Sequence, residues 1–265
     1  MSRATGAWST KAKWTVGGLG AAVVLLTGYA MLSADGDGDG PAGGKGGHAA
    51  SSSSATPSPG YKAPEGWTEP ERWTALPRGA RTDEYGSDIG FPHTTEGVAA
   101  MLAAANSTSV DSNKTTVDEQ LRLYHSYIGK ADQSDQAAER IELAAMDTDK
   151  SLAREMSVPA GQPLPTGAYV RSTVVGYKVI KASADQAGVW LLSRVTQKNG
   201  ESAKEAASYT RTLVGAQWEN GDWKLTAAAT MQAQQDAQAQ SEPKMVAPGD
   251  AAFNAAGWTA IREAS

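Results

Sequence analysis

Three imidazoles are available for chemistry in this chain: His48, His93 and His125. No cysteine stands anywhere, which removes thiol nucleophiles, thiolate metal sites, disulfides and lipid attachment at an N-terminal Cys together. A serine hydrolase would need one histidine beside a Ser on a strained elbow, and Gly-x-Ser-x-Gly does not occur. A histidine metal site wants a second His or carboxylates at helical or hairpin spacing, and neither His93 nor His125 has another His near it. A buried Asp/His pair is the remaining option, with Asp118, Asp147 or Asp185 as the acids that would meet His125. Nothing in the sequence chooses among them. His125, beside Tyr124, reads as a helix-edge residue, and His93 as packing in the turn that leads into a helix. Lys45 lies in Gly-rich surroundings, but the phosphate-loop spacing fails: Asp39 stands where the first Gly belongs, and Gly46 follows the Lys. Asn106-Ser107-Thr108 and Asn113-Lys114-Thr115 are formal glycosylation acceptors without assigned function. No catalytic, cofactor-binding or metal-ligating residue is assigned, and no cofactor is expected.

Composition supports the same direction. The net charge of -5 offers no basic field to neutralise phosphates, so direct nucleic-acid binding is not expected. With 40% hydrophobic and 20% charged residues, the chain can bury an ordinary core by packing alone. Its first sixty or so residues differ from the rest, which leaves about 170–200 residues for one folded domain.

Positions 14–32, Trp14 to Leu32, contain no ionisable side chain and would span about 28 Å as a helix, close to a bilayer core. Arg3, Lys11 and Lys13 precede this run, and Asp35, Asp37 and Asp39 follow it. The asymmetry predicts a signal-anchor in the cell membrane, with residues 1–13 as a cytoplasmic stub, 14–32 as a lipid-contacting transmembrane helix and the remainder outside. A cleaved signal is the rival, but Gly28-Tyr29-Ala30 falls inside the apolar run and Leu32-Ser33-Ala34 is poor at its first position. Residues 33–60 are Gly, Asp, Ala, Ser and Pro with little that is apolar, and read as a disordered tether reaching on the order of 30 Å.

Residues 61–92 alternate Trp67, Trp73 and Leu76 with Pro64, Pro70 and Pro77, and read as an extended arm that lays two indoles on the domain; an exposed arm for a partner is the alternative. A soluble domain is expected over 93–231. Thr94 or Thr95 caps a first helix through Val98, Met101, Leu102 and Ala105. Val117, Leu121, Tyr124 and Ile128 form a second apolar stripe, and Ala137, Ile141, Ala144, Ala145 and Leu152 a third. Beyond Gly167 the period falls to two, with strands predicted over 169–181, 188–197, 208–218 and 222–227 and turns at Asn199-Gly200 and Asn220-Gly221. The expected fold class is α+β: three helices packed on a curved four-stranded antiparallel sheet, preceded by the transmembrane helix and linker. Residues 232–265 form a Gln/Ala-rich tail, where a short helix would carry Phe253, Trp258 and Ile261 back onto the domain.

The closing hairpin, Trp218-Glu219-Asn220-Gly221-Asp222-Trp223-Lys224-Leu225, resembles the last hairpin of nuclear-transport-factor-2-like, or cystatin-like, cone folds. Trp73 to Pro77, followed by Gly90-Phe91-Pro92-His93-Thr94-Thr95-Glu96-Gly97 and an Ala-rich helix, is similar to a family of membrane-anchored actinomycete proteins found with conjugative elements. The usual segment of that family reads Gly-Phe-Ala-x-Thr-Pro, a departure at the helix cap. The resemblance implies a non-enzymatic scaffold or assembly subunit of a type IV-like DNA-transfer apparatus, with protein partners and a homo-oligomer among the options, and it carries over no catalytic residues. The alternative is a cone-fold enzyme or small-ligand binder on the same anchor, and it differs in needing an open, mostly apolar pocket inside the cone.

Overall fold

The computed structural model describes residues 66–262. The expected stub, transmembrane helix and tether, together with His48 and Lys45, lie outside the described residues.

Chain order begins with β1 (Trp73–Ala75), β2 (Arg81–Thr82) and β3 (Asp88–Ile89), the last two pairing as a small separate hairpin. Helix α1 (Thr95–Ala105) follows, with the Thr94 hydroxyl accepting from the Gly97 amide at its start. Next come β4 (Thr108–Asp111), α2 (Thr116–Tyr127) and α3 (Asp135–Glu155). Thr115 and Asp118 close a capping box on α2, and Ser134 caps α3. Three long strands, β5 (Ala168–Ala182), β6 (Gln186–Asn199) and β7 (Ala206–Glu219), form the body of the sheet, and β8 (Asp222–Leu225) returns across a tight turn. Asn220 and Gly221 both have positive φ, 52° and 84°, as an Asn-Gly hairpin turn requires. The described residues end with α4 (Ala227–Ala237), α5 (Ala251–Ala255) and β9 (Thr259–Arg262).

Four antiparallel strands under three helices is therefore not the architecture. The sheet has seven strands in the order β1-β9-β5-β6-β7-β8, with β4 pairing the first half of β5, and it is mixed because β1 runs parallel to β9. Five α-helices, among the described residues, cover both of its faces. On the first face, Val174, Val189, Leu191, Val214, Ala216 and Trp223 pack against α1, α2 and the start of α3. On the second, Trp190 and Leu192 pack with Phe253, Trp258 and Ala260, and Ala237 and Val246 lie against them. Close approach on this side depends on two glycines opposite one another in the ladder, Gly188 and Gly215. A Cβ on Gly215 would stand 2.1 Å from the Ala229 carbonyl of α4, and one on Gly188 would stand 2.7 Å from the Ala233 Cβ.

The second helix and its C-cap bury Tyr124 and Ile128 of the expected stripe, with Leu121 partly buried against the same core, but the buried surface is wider than that stripe. Glu119, Gln120, Leu123, Tyr124 and Tyr127 face inward, while Val117 and Leu121 are half-buried. Packing between α3 and the sheet buries more than one face of α2, and Glu119 tolerates burial because Lys114 and Arg122 both pair with its carboxylate.

No helix among the described residues is long and apolar enough to cross a membrane. At 21 residues α3 has the length, but Glu139, Arg140, Glu142, Asp147, Asp149 and Lys150 punctuate it. The single-pass membrane topology and cell-membrane location expected from residues 14–32 are corrected on this finding: no described element supplies a spanning helix.

Candidate functional site

The β7–β8 turn gathers the polar and aromatic groups that come closest to a site. Trp218 and Trp223 stand opposite each other in the ladder, with rings in edge contact at 5.3 Å. His93, two residues before α1, stacks on Trp218 at a centroid distance of 4.0 Å and 9° between planes. Its Nε2 lies 3.0 Å from Asp185 Oδ1, at the bend between β5 and β6. The Trp223 indole donates to the Pro92 carbonyl at 2.9 Å, which fixes the chain just ahead of His93.

The Asp/His pair thus forms with His93, not His125. His125 instead stacks on Tyr85 at 4.8 Å and meets the edge of Tyr124. Asp118 is used in the α2 capping box, and Asp147 pairs with Lys150 on α3. The His93–Asp185 pair is open to water, with side chains 39% and 69% exposed. Such exposure denies it the low-dielectric surroundings that tune an acid–base dyad.

Beside the turn lies a shallow cleft of about 160 Å³, lined in part by Arg81, His125, Lys130, Glu219 and Lys224. Its floor is an ion pair: Asp222 is buried, its Oδ1 accepting from the Phe91 and Trp223 amides and its Oδ2 lying 3.1 Å from Lys224 Nζ. Lys224 Nζ also donates to the Ser126 carbonyl at 2.7 Å, joining β8 to the end of α2. Gln133 Nε2 donates to the Ile128 carbonyl at 2.9 Å and closes the same helix end. Tyr127, at the same end of α2, is buried; burial, partly offset by the Ser87 hydroxyl and Arg122, pushes its phenol up to about 12.

Sequence reasoning missed the Asp222–Lys224 pair and the stacking of His93 on Trp218. A usable signal was present: an Asn-Gly turn flanked by Trp218 and Trp223 sets both indoles side by side across a two-residue loop.

A family described as a domain of unknown function (DUF8175) matches residues 40–245, well over half of the chain. The chain belongs to the DUF8175 family. Neither a curated protein nor a solved structure matches it. The family match includes every residue around the β7–β8 turn and stops before α5 and β9, so it ends short of the strand that joins β1 to the sheet.

Proposed function

We propose that this DUF8175 domain is a non-enzymatic contact module, an assembly or scaffold subunit that works through its surface. The observation that carries the reading is the filled interior. Tyr124, Tyr127, Trp223, Met101 and Leu102 occupy the space between the first sheet face and its helices, each at most 2% exposed. A cone enzyme or small-ligand binder needs that space open, typically with about 300–1,000 Å³ of pocket. The cleft at the β7–β8 turn offers about 160 Å³ and is floored by an ion pair already satisfied within the protein.

The similarity of the Trp73–Pro77 and Gly90–Gly97 segments to proteins of conjugative elements supplies the setting, DNA transfer between cells. In a host carrying the gene on such an element, deletion abolishes transfer, and the full chain with His93→Ala and His125→Ala restores it. Loss of transfer in a double variant that unfolds normally in urea would revive the enzyme. Normal transfer by the deletion strain would remove the conjugation setting and leave the contact module without it.

A further inference from the structure

The sheet ends on one side in a long, open strand edge. Strand β7 pairs with β6 over Ala206 to Gln217 with no register shift, while β8 covers only Ala216 to Glu219 of its outer side. Backbone direction alternates along a strand. The Trp218 amide donates toward the β6 side, to the Asp185 carbonyl, and the Gly215 amide donates outward, to the Thr230 hydroxyl of α4. Odd-numbered residues therefore point their N–H and C=O groups off the sheet. Gly215 is covered by Thr230 and 217–219 by β8, which leaves Ala207, Tyr209, Arg211 and Leu213 without a strand partner among the described residues. Neither a proline nor a bulge, two of the usual devices that blunt an edge, interrupts this stretch.

We propose that this edge is an interface for a second copy of the same chain, which adds its own β7 antiparallel across a two-fold axis at Thr210. The four open residues are symmetric about that position. Ala207 would face Leu213 of the second copy, and Tyr209 would face Arg211, each such pair exchanging two backbone hydrogen bonds. Neighbouring registers fail. An axis at Arg211 opposes two guanidinium groups and calls on Gly215, already held by Thr230, and an axis at Tyr209 loses Leu213 to a position before the strand begins. A second observation singles out the axis residue: Thr210 Oγ1 is buried and has no hydrogen-bond partner among the described residues. On the axis it stands opposite its own copy in a non-hydrogen-bonded pair, where cross-strand Thr hydroxyls bond to each other. Arg211 does not obstruct the approach. Its guanidinium lies 5.2 Å over the Trp190 ring and is tied to Glu242 and the Pro243 carbonyl, above the second face and away from the edge.

This inference stands whether or not the domain is a scaffold, since it concerns only the pairing of two copies. The chain has no cysteine, so one introduced thiol can only cross-link between molecules. In full chains, Thr210→Cys places two Cα atoms about 4.5 Å apart across the axis, within disulfide reach. Thr212→Cys places its own two about 14 Å apart, out of reach. Under mild oxidation the Thr210→Cys chain should form a disulfide dimer at least about ten times faster than the Thr212→Cys chain. Mixing Ser208→Cys with Thr212→Cys chains should give the mixed dimer. Unaltered chain should sediment at twice its monomer mass. A monomeric mass for the unaltered chain, or equal cross-linking at 210 and 212, would overturn the proposal.

Discussion

At the residue scale, the two neighbours Trp223 and Lys224 show how far alternation carries. The period of two puts Trp223 inward, and it is 1% exposed, so Trp223→Ala should cost about 3–5 kcal/mol in urea unfolding. Alternation alone would make Lys224 a solvent residue whose loss costs little. Instead its ammonium answers Oδ2 of the buried Asp222 carboxylate and the Ser126 carbonyl, so Lys224→Ala should cost about 1–3 kcal/mol by removing the donor from both oxygens, while Asp222 Oδ1 keeps the Phe91 and Trp223 amides. Asp222→Asn together with Lys224→Ala should recover part of that loss, and no recovery would mean that the pair is not coupled. Tyr127 gives a pH prediction of definite sign. Its phenol is raised from 10.0 to about 12, chiefly by burial, so the neutral form is the one the fold prefers. The associated stability is complete below pH 10 and is lost as pH rises through about 12. A Tyr127→Phe chain, lacking that ionisation, should therefore lose less stability over this window than the unaltered chain. Equal losses would place the titration elsewhere.

Elements differ in legibility for reasons that can be named. Strands β5 to β8 were legible because alternating Val, Tyr, Leu and Trp, bounded by Gly167 and the two Asn-Gly pairs, leave few other readings. Helices α1 and α3 announce themselves by capping residues and inward Ala, Ile and Leu. Helix α4 did not, because Ala227–Ala237 is Ala and Gln with no apolar stripe, and it docks by small residues against Gly188 and Gly215. Gly215→Ala tests that docking: the added methyl collides with the α4 backbone, which cannot swing aside as a side chain would, and should cost about 1–3 kcal/mol or more. An unchanged urea midpoint would show that α4 does not seat there. Strand β4 was hidden in a polar stretch, Thr108 to Asp111, that reads as a loop until β5 is beside it. The β1–β9 pair was hidden by distance along the chain, since β1 has only β9 as its strand partner and β9 is a strand only once β5 and β1 lie on its two sides.

For the whole molecule, sequence order suggested three helices on one face, with a tail whose short helix would return Phe253, Trp258 and Ile261 to the domain at no assigned face. The residues beyond the last hairpin, α4 and α5 among them, cover the second face. Phe253 and Trp258 are fully buried there, and the arm is bound to this end of the chain: Glu69 accepts from the indoles of both Trp67 and Trp73, and Asn254 bonds the backbone of Glu69 and Glu71. Little of the candidate site was legible, because its contacts join residues far apart in sequence, His93 with Asp185 and Phe91 with Asp222. Both sheet faces are covered by helices among the described residues, and the proposed contact role puts partner binding at the surface and the edge. The central claim, contact rather than catalysis, is tested most directly by comparing two full-chain variants in one transfer assay, in a host whose transfer requires the chain. One is His93→Ala with His125→Ala; the other is Tyr209→Pro, which removes an outward amide from the open edge, where proline is tolerated. With both folded, the account predicts restored transfer by the double-histidine variant and none by Tyr209→Pro, and the reverse result would contradict it.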